Sequence, residues 1–228
     1  MNPPPGITVL PNNQWVITDD THLSLWAQQK GTIVTDPNLF RFLHPYLTDI
    51  STIWDVGANI GDHARQYLDW GKQVVAIEPN PLAFLCLSHN CPEAILVNAA
   101  ASNSAGEHLR FMRLDNAGAS RIHPNGDILV PTVILDWENL PTPGLIKLDV
   151  EGWELFALCG MQETIEKHRP LVFCEINRGA LAANDITPDM LTSWFAERDY
   201  YTDVHYPAKA LPTDEQFDIL FIPKHDKA

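Results

Sequence analysis

Between residues 53 and 61 the chain reads IWDVGANIG, and from 74 it reads VVAIEPNP. The first apolar run ends in Asp55-Val56-Gly57, turns through small residues to Gly61, and enters a segment of helical periodicity. The second ends in a carboxylate, Glu78, 17 residues beyond Gly61. Few folds accept that order. Glycines let a strand-to-helix turn bring its backbone against a ligand, and an acid ending the next strand is placed for the two hydroxyls of a ribose. The glycines are spaced G-x-x-x-G, with Asp55 two positions before the first. The pyrophosphate-cradling pattern G-x-G-x-x-G is absent here. A parallel α/β sheet carrying a nucleoside-type site follows.

The remaining sequence keeps the alternation. Strands are predicted over 52–56, 73–77, 94–98, 144–148 and 171–174, with a closing pair over 200–206 and 217–223. An extra pair over 106–113 and 127–135 flanks a turn-rich loop, DNAGASRIHPNG. Helices are predicted over 61–70, 81–90, 152–168 and 187–199, the last capped by Thr187-Pro188. Strands alternating with helices imply an α/β, Rossmann-like fold: a mainly parallel seven-stranded sheet with helices on both faces. Residues 51–228 are read as one domain and 1–50 as an N-terminal arm and cap. In that cap, 1–11 is a Pro-rich loose arm and 14–35 a hairpin-and-helix unit. Asp36-Pro37 then starts a helix running to about residue 47, the acid as N-cap and proline at the first helical position.

Charge narrows the partners. Fifteen Lys and Arg face 29 Asp and Glu, a net charge of −14, and a phosphate backbone is bound mainly through cations. Nucleic acid is not expected as a partner. Neither is a membrane, because no apolar run approaches the roughly 18 residues of a span. The N-terminus MNPPPG lacks the charged and apolar regions of a signal peptide, so a cytoplasmic location is expected. Cys86, Cys91, Cys159 and Cys174 form no C-x-x-C pair and sit among apolar residues, which predicts buried free thiols. No zinc spacing and no G-x-S-x-G elbow is present.

An Asp-x-Gly-x-x-x-Gly loop followed by a strand-terminal Glu is the pattern of S-adenosylmethionine (SAM) dependent methyltransferases. DVGANIG over 55–61, IEPNP over 77–81, VILD over 133–136, IKLDVEGWE over 146–154, and Arg169-Pro170 with Glu175 follow in that order. Together they resemble the FkbM family of such enzymes over about residues 50–180, most specifically in the K-x-D-V-E-G-x-E segment. Ile134 stands where the family often has threonine. The resemblance implies a class I methyltransferase fold, SAM as cofactor with S-adenosylhomocysteine as product, and O-methylation of a small hydroxylated acceptor such as a sugar, glycan or polyketide-like metabolite. A nicotinamide-dependent oxidoreductase and a non-catalytic SAM-fold interaction module are the alternatives. Glycine spacing speaks against the first and the charged strand ends against the second.

The cofactor-binding candidates are Asp55, Gly57, Asn59, Gly61, Glu78, Pro79, Asn98 and Ala99. Gly57 and Gly61 are expected to let the loop hug the methionine moiety, Asp55 to meet its ammonium, and Glu78 to bind the ribose. Asn98 and the small residues after it would border the adenine. Lys147, Asp149 and Glu175 are the catalytic candidates, at the carboxyl ends of two strands. Methyl transfer is an in-line displacement from an already activated donor, so the protein must align the acceptor and accommodate its proton. Asp149 is the first choice for that, with Lys147 holding it ionised or stabilising an alkoxide. Asn116, Ser120, Glu151 and Asn177 are candidate acceptor contacts, with Arg121 and His123 over the pocket mouth and His22 and Trp26 reaching from the cap. Glu151 and Glu154 are placed in the first turn of the helix over 152–168. Asp149, Glu175 and Asn177 form a conceivable Mg²⁺ set, but Lys147 competes for the carboxylates and no metal is expected.

Overall fold

The computed structural model describes residues 3–206 and 215–224. Seven strands form the main sheet: β1 (Thr52–Val56), β2 (Gln73–Ile77), β3 (Ile95–Val97), β4 (Leu145–Leu148), β5 (Leu171–Asn177), β6 (Tyr200–Tyr206) and β7 (Gln216–Pro223). Their order is β6-β7-β5-β4-β1-β2-β3. Neighbours from β5 to β3 run parallel, and β7 is antiparallel to both β5 and β6. The chain winds outward from β1 through β2 to β3, then returns to lay β4 on β1's other side. A crevice therefore opens beyond the carboxyl ends of β1 and β4, where such folds bind ligands.

Period-two alternation gives each face its own core. Trp54 and Val56 of β1, Val75 and Ile77 of β2, Ile146 and Leu148 of β4, and Val172 and Cys174 of β5 pack on one side. Ile53, Val74, Ala76, Leu145 and Phe173 pack on the other, against Phe40, Leu43, Ala64 and Tyr67. The same alternation puts Asp55, Lys147 and Glu175 on this second face, one or two positions beyond the apolar residues. The face turns from apolar to charged as the strands reach the crevice. Four shorter strands, Ala100–Ala101, His108–Met112, Arg121–Ile122 and Ile128–Val133, make a separate sheet beside it.

Several expectations change. The arm over 1–11 is not loose, since Ile7–Val9 pairs antiparallel with Trp15–Ile17 and Ile7 and Leu10 are buried. The run over 32–35 forms no strand, although Leu23–Lys30 is helical as expected. The helix over 152–168 is two helices, Glu154–Cys159 and Gln162–His168. Gly160 stands at the break, where a Cβ would lie 2.0 Å from the Ser102 carbonyl oxygen, so only glycine fits. The second piece is restarted by Asp136 of the VILD motif, whose carboxylate accepts the N–H groups of Glu163 and Thr164 at 2.8 and 2.9 Å. β5 runs on to Asn177, so Glu175 lies within the strand, and a short helix, Arg178–Ala182, follows that periodicity did not reveal. Cys86, Cys91 and Cys174 are buried free thiols, but Cys159 is exposed. Among the described residues no helix is long and apolar enough to cross a membrane.

Gly57 is the tightest point of the sheet. Its φ is +88°, and an added Cβ would lie 1.7 Å from the Asp149 carbonyl oxygen. Gly57→Ala adds this overlap to left-handed strain and should cost about 4 kcal/mol. Gly71, at φ +73° with nothing within 4 Å, serves as the control. Gly71→Ala carries the strain alone and should cost about 1–2 kcal/mol. Urea midpoints of the two variants should therefore differ sharply, and equal midpoints would refute the packing account.

Candidate active site

The loop after β1 is stitched to the end of β2. The N–H groups of Gly57 and Ala58 both reach the Ile77 carbonyl, at 2.9 and 3.0 Å. Asn59, at φ +48°, turns its own N–H to Glu78 Oε2 at 2.9 Å, and the Asn80 N–H donates to Oε1 at 2.7 Å. Both carboxylate oxygens are thus held by backbone, and burial lifts the group to about 7 even though these bonds favour its charge. Asn80 then caps the helix Pro81–Asn90 through the Leu82 N–H.

Glu78 borders a cavity at the carboxyl ends of β1, β2 and β4. Gly57, Asn59, Pro79, Ala99 and Ser120 line it as well, and so do Lys147, Asp149 and Glu151. Asp55, Gly61, Asn98, Asn116, Glu175 and Asn177 stand behind the lining. Asn98 braces the Glu78 turn, its Nδ2 donating to the Glu78 carbonyl at 2.8 Å. Asn116 folds back on the Gly118 N–H at 3.1 Å, and Ser120 Oγ accepts the Leu114 N–H at 3.0 Å. The absent Cβ atoms of the two loop glycines make room for protein. At Gly61 the space is taken by Cys91 Sγ and Leu87 Cδ1, at 2.8 and 2.9 Å from where a Cβ would sit.

Lys147 joins the crevice walls. It is paired with Asp55 in the β4–β1 register, and its buried Nζ lies 3.6 Å from Asp55 Oδ1 and 3.0 Å from Asp149 Oδ2. Burial by itself would lower the ammonium; the Asp149 and Asp55 charges outweigh it and hold Lys147 well above the usual range. Burial would likewise raise Asp149, but Lys147 holds it below the ordinary aspartate value. Asp55 is fully buried, and there desolvation wins, raising it despite Lys147.

The DVEG segment forms a strained turn and only afterwards a helix. Glu151 has φ +52° and Gly152 φ +96°, and a Cβ on Gly152 would lie 2.2 Å from the Ala180 carbonyl oxygen. Glu154 opens the helix and closes the turn, its Oε1 accepting the N–H groups of Gly152 and Val150 at 3.1 and 3.3 Å. Its acid role is therefore structural, and Glu151 lies before the helix, outside its first turn. Asn177 Nδ2 donates to Glu151 Oε2 at 3.1 Å while its Oδ1 caps the following helix. Gln216 Nε2 donates to Glu175 Oε1 at 2.6 Å. Burial raises Glu151 to about 8 and Glu175 well above the carboxylate range, with Asp149 adding to both. Asp149, Glu151 and Glu175 each offer a carboxylate oxygen within 4.8 Å of the others.

Residues outside the expected set complete the lining. Asp62 and His63 enter from the first turn of the helix Asp62–Asp69, where positions just after Gly61 necessarily face the crevice. Phe111, Ile122 and Trp153 add apolar wall, Trp153 stacked on Phe156 at 4.0 Å. Asp218, opposite Glu175 in the β5–β7 register, is raised to about 7 by burial and by Asp149. Leu23 reaches in from the cap, whereas His22 and Trp26 stack on each other at 5.5 Å outside the cavity. The cap is fastened by Asp20, whose buried carboxylate accepts the N–H groups of His22, Ser24 and Ala117 at 3.1, 2.6 and 2.9 Å.

Hexuronic acid methyltransferase AglP from Haloferax volcanii is 28% identical over 194 residues, covering 81% of this chain and 76% of that protein. The solved structure of methyltransferase FkbM from Methylobacillus flagellatus superimposes with a TM-score of 0.50 at 21% identity, over 75% of this chain; the chain spans 43% of that protein's length. A TehB-like SAM-dependent methyltransferase from Corynebacterium glutamicum gives 0.52 at 10% identity, over 91% of this chain and 98% of that one. Both structures share the fold. The profile of the methyltransferase FkbM domain matches residues 55–201, from the buried Asp55 to the second residue of β6, and the chain accordingly belongs to the FkbM family of methyltransferases.

Proposed function

We propose that this methyltransferase binds SAM against Glu78 and methylates a hydroxyl of a small, sugar-type acceptor held at the carboxyl ends of β4 and β5. The observation that carries the reading is that one cavity is lined both by Glu78 and by the Lys147–Asp149 pair. The lining fits the cofactor. Asn59 Oδ1, beside Glu78, is buried without a hydrogen-bond partner, an acceptor suited to a ribose hydroxyl. Ala99, Ala100 and Ala101 leave a smooth wall for a flat base. When bound, SAM supplies a methyl group on a sulfonium, an activated carbon that needs no further activation by the protein.

The chain's own residues then have three tasks. Glu78, fixed by two backbone N–H groups, orients the nucleoside. Asp149 accepts the hydrogen bond, and then the proton, of the acceptor hydroxyl. Lys147, anchored by Asp55, keeps the Asp149 carboxylate turned to the cavity. Phe111, Ile122 and Trp153 keep water from the reacting oxygen. AglP acts on a hexuronic acid, which supports a sugar as the acceptor class here.

Titration calorimetry with S-adenosylhomocysteine should show one site, and its absence in the wild type would refute the reading. Because Glu78 is raised to about 7, a proton must leave before it can accept two hydroxyls. Affinity should therefore rise about tenfold from pH 6 to pH 8, and Glu78→Gln should bind weakly with a flat profile. A wild-type profile as flat as that of the variant would remove Glu78 from the ribose. Asp149→Asn should lose about 100-fold or more in turnover on a panel of hexose and hexuronic acid glycosides while binding S-adenosylhomocysteine normally. Full turnover in that variant would remove Asp149 from the chemistry.

A further inference from the structure

At the carboxyl ends of β1, β4 and β5 and the amino end of the antiparallel β7, acids outnumber the cations beside them. Asp55, Asp149, Glu151, Glu154, Glu175 and Asp218 act electrostatically on one another there, against Lys147 and, toward Glu151, Arg121. We propose that Asp149, Glu151 and Glu175 bind one hard divalent cation, of the Mg²⁺ or Mn²⁺ class, and that this cation receives oxygen atoms of the acceptor. The second half rests on the methyl-transfer reading above; the first does not.

Three observations support it. Oxygens of the three carboxylates lie within 4.8 Å of one another, close enough to share one ion. Each carboxylate is gripped on one oxygen by an N–H donor outside the cluster: Asp149 Oδ2 by Lys147 at 3.0 Å, Glu151 Oε2 by Asn177 at 3.1 Å, and Glu175 Oε1 by Gln216 at 2.6 Å. That is the arrangement by which outer partners aim ligands at a metal. Finally, Glu175 is only 8% exposed, and its Oε2 is buried with no hydrogen-bond partner while the side chain lies within hydrogen-bonding reach of Asp149.

A buried carboxylate oxygen without a partner is costly. A proton shared between Asp149 and Glu175 would satisfy that pair, yet it leaves Glu151 as a third carboxylate facing both. A divalent ion satisfies all three at once. The donor set holds oxygen alone, with neither His nor Cys, which favours Mg²⁺ or Mn²⁺ over zinc. Asp149 and Glu151 also line the cavity, so the remaining coordination positions face the acceptor. A vicinal pair of sugar oxygens, or a hydroxyl beside a carboxylate, would fill them. The ion binds and orients, and no bond to carbon changes at it. It also lets an acid-lined pocket accept an acidic sugar, which the carboxylates alone would repel.

The test is a Mn²⁺ titration of the full chain followed by electron paramagnetic resonance, with and without S-adenosylhomocysteine. The expected result is one saturable Mn²⁺ per chain, displaced by Mg²⁺. Glu151→Gln and Glu175→Gln should each weaken binding at least tenfold, whereas the exposed Glu107→Gln should leave it within twofold. Calorimetry with S-adenosylhomocysteine on every variant reports whether it folds, and Glu151→Gln at the cavity wall decides should Glu175→Gln fail to. No saturable Mn²⁺ uptake by the wild type up to millimolar concentration would overturn the proposal, as would uptake unchanged in Glu151→Gln. Loss of cation binding with cofactor binding intact in the wild type would sink the ion and leave the methyltransferase reading standing; the reverse would do the opposite.

Discussion

The ammonium of Lys147, buried between Asp55 and Asp149, ties β4 to β1 at the place where the sheet reverses its winding. Taking a lone charge into that position would be prohibitive, and two carboxylates offset the loss of water. Removing Lys147 leaves the buried Asp55 carboxylate without its cation, a change that costs about 3–5 kcal/mol in comparable buried pairs. Just beside it the Gly57 backbone passes against the Asp149 carbonyl with no room for a side chain. Charge and close approach together set the distance between the crevice walls. The Glu78 cradle and the DVEG turn are built outward from that fixed gap.

Much of this was legible in the chain. The parallel sheet, the closing antiparallel pair, Glu78 at the strand end and the Lys147–Asp149 pairing all follow from local periodicity and from charge at the end of an apolar run. What stayed hidden depends on distant backbone. Only glycine fits at 160, where the helix breaks, because the Ser102 carbonyl takes the space of a Cβ, and nothing near residue 160 announces that. The sequence suggests that Gly57 and Gly61 serve a ligand; the space of their missing Cβ atoms is filled by Asp149 in one case and by Cys91 and Leu87 in the other, and Gly57 also lines the cavity. Asn98 looked like a partner for a base and instead steadies the Glu78 turn. Each of these side chains had one polar or steric option nearby in sequence and a better one far away in it.

The acids divide by what holds them. Glu78 has both carboxylate oxygens, and Glu154 its Oε1, occupied by backbone N–H groups, and both act as parts of the scaffold, Glu78 with a face left toward the cavity. Asp149, Glu151 and Glu175 are each held by one side-chain donor and converge. Acids that count toward the formal charge of −14 thus lie at the acceptor end of one cavity, where burial raises Glu151 and Glu175 and opposes their charge. A sequence count alone reads that charge as a property of the surface.

The Asp20 carboxylate ties the start of the cap helix to the Ala117 backbone at the cavity wall. Residue 20 lies well before the stretch shared with the family, which begins at residue 55. A fragment trimmed to that stretch would retain β2 to β5 and every shared motif but only the last two residues of β1, and the Ala117 N–H would lose its anchor and Leu23 would leave the wall. In this chain the start of the family match and the edge of the working pocket fall in different places.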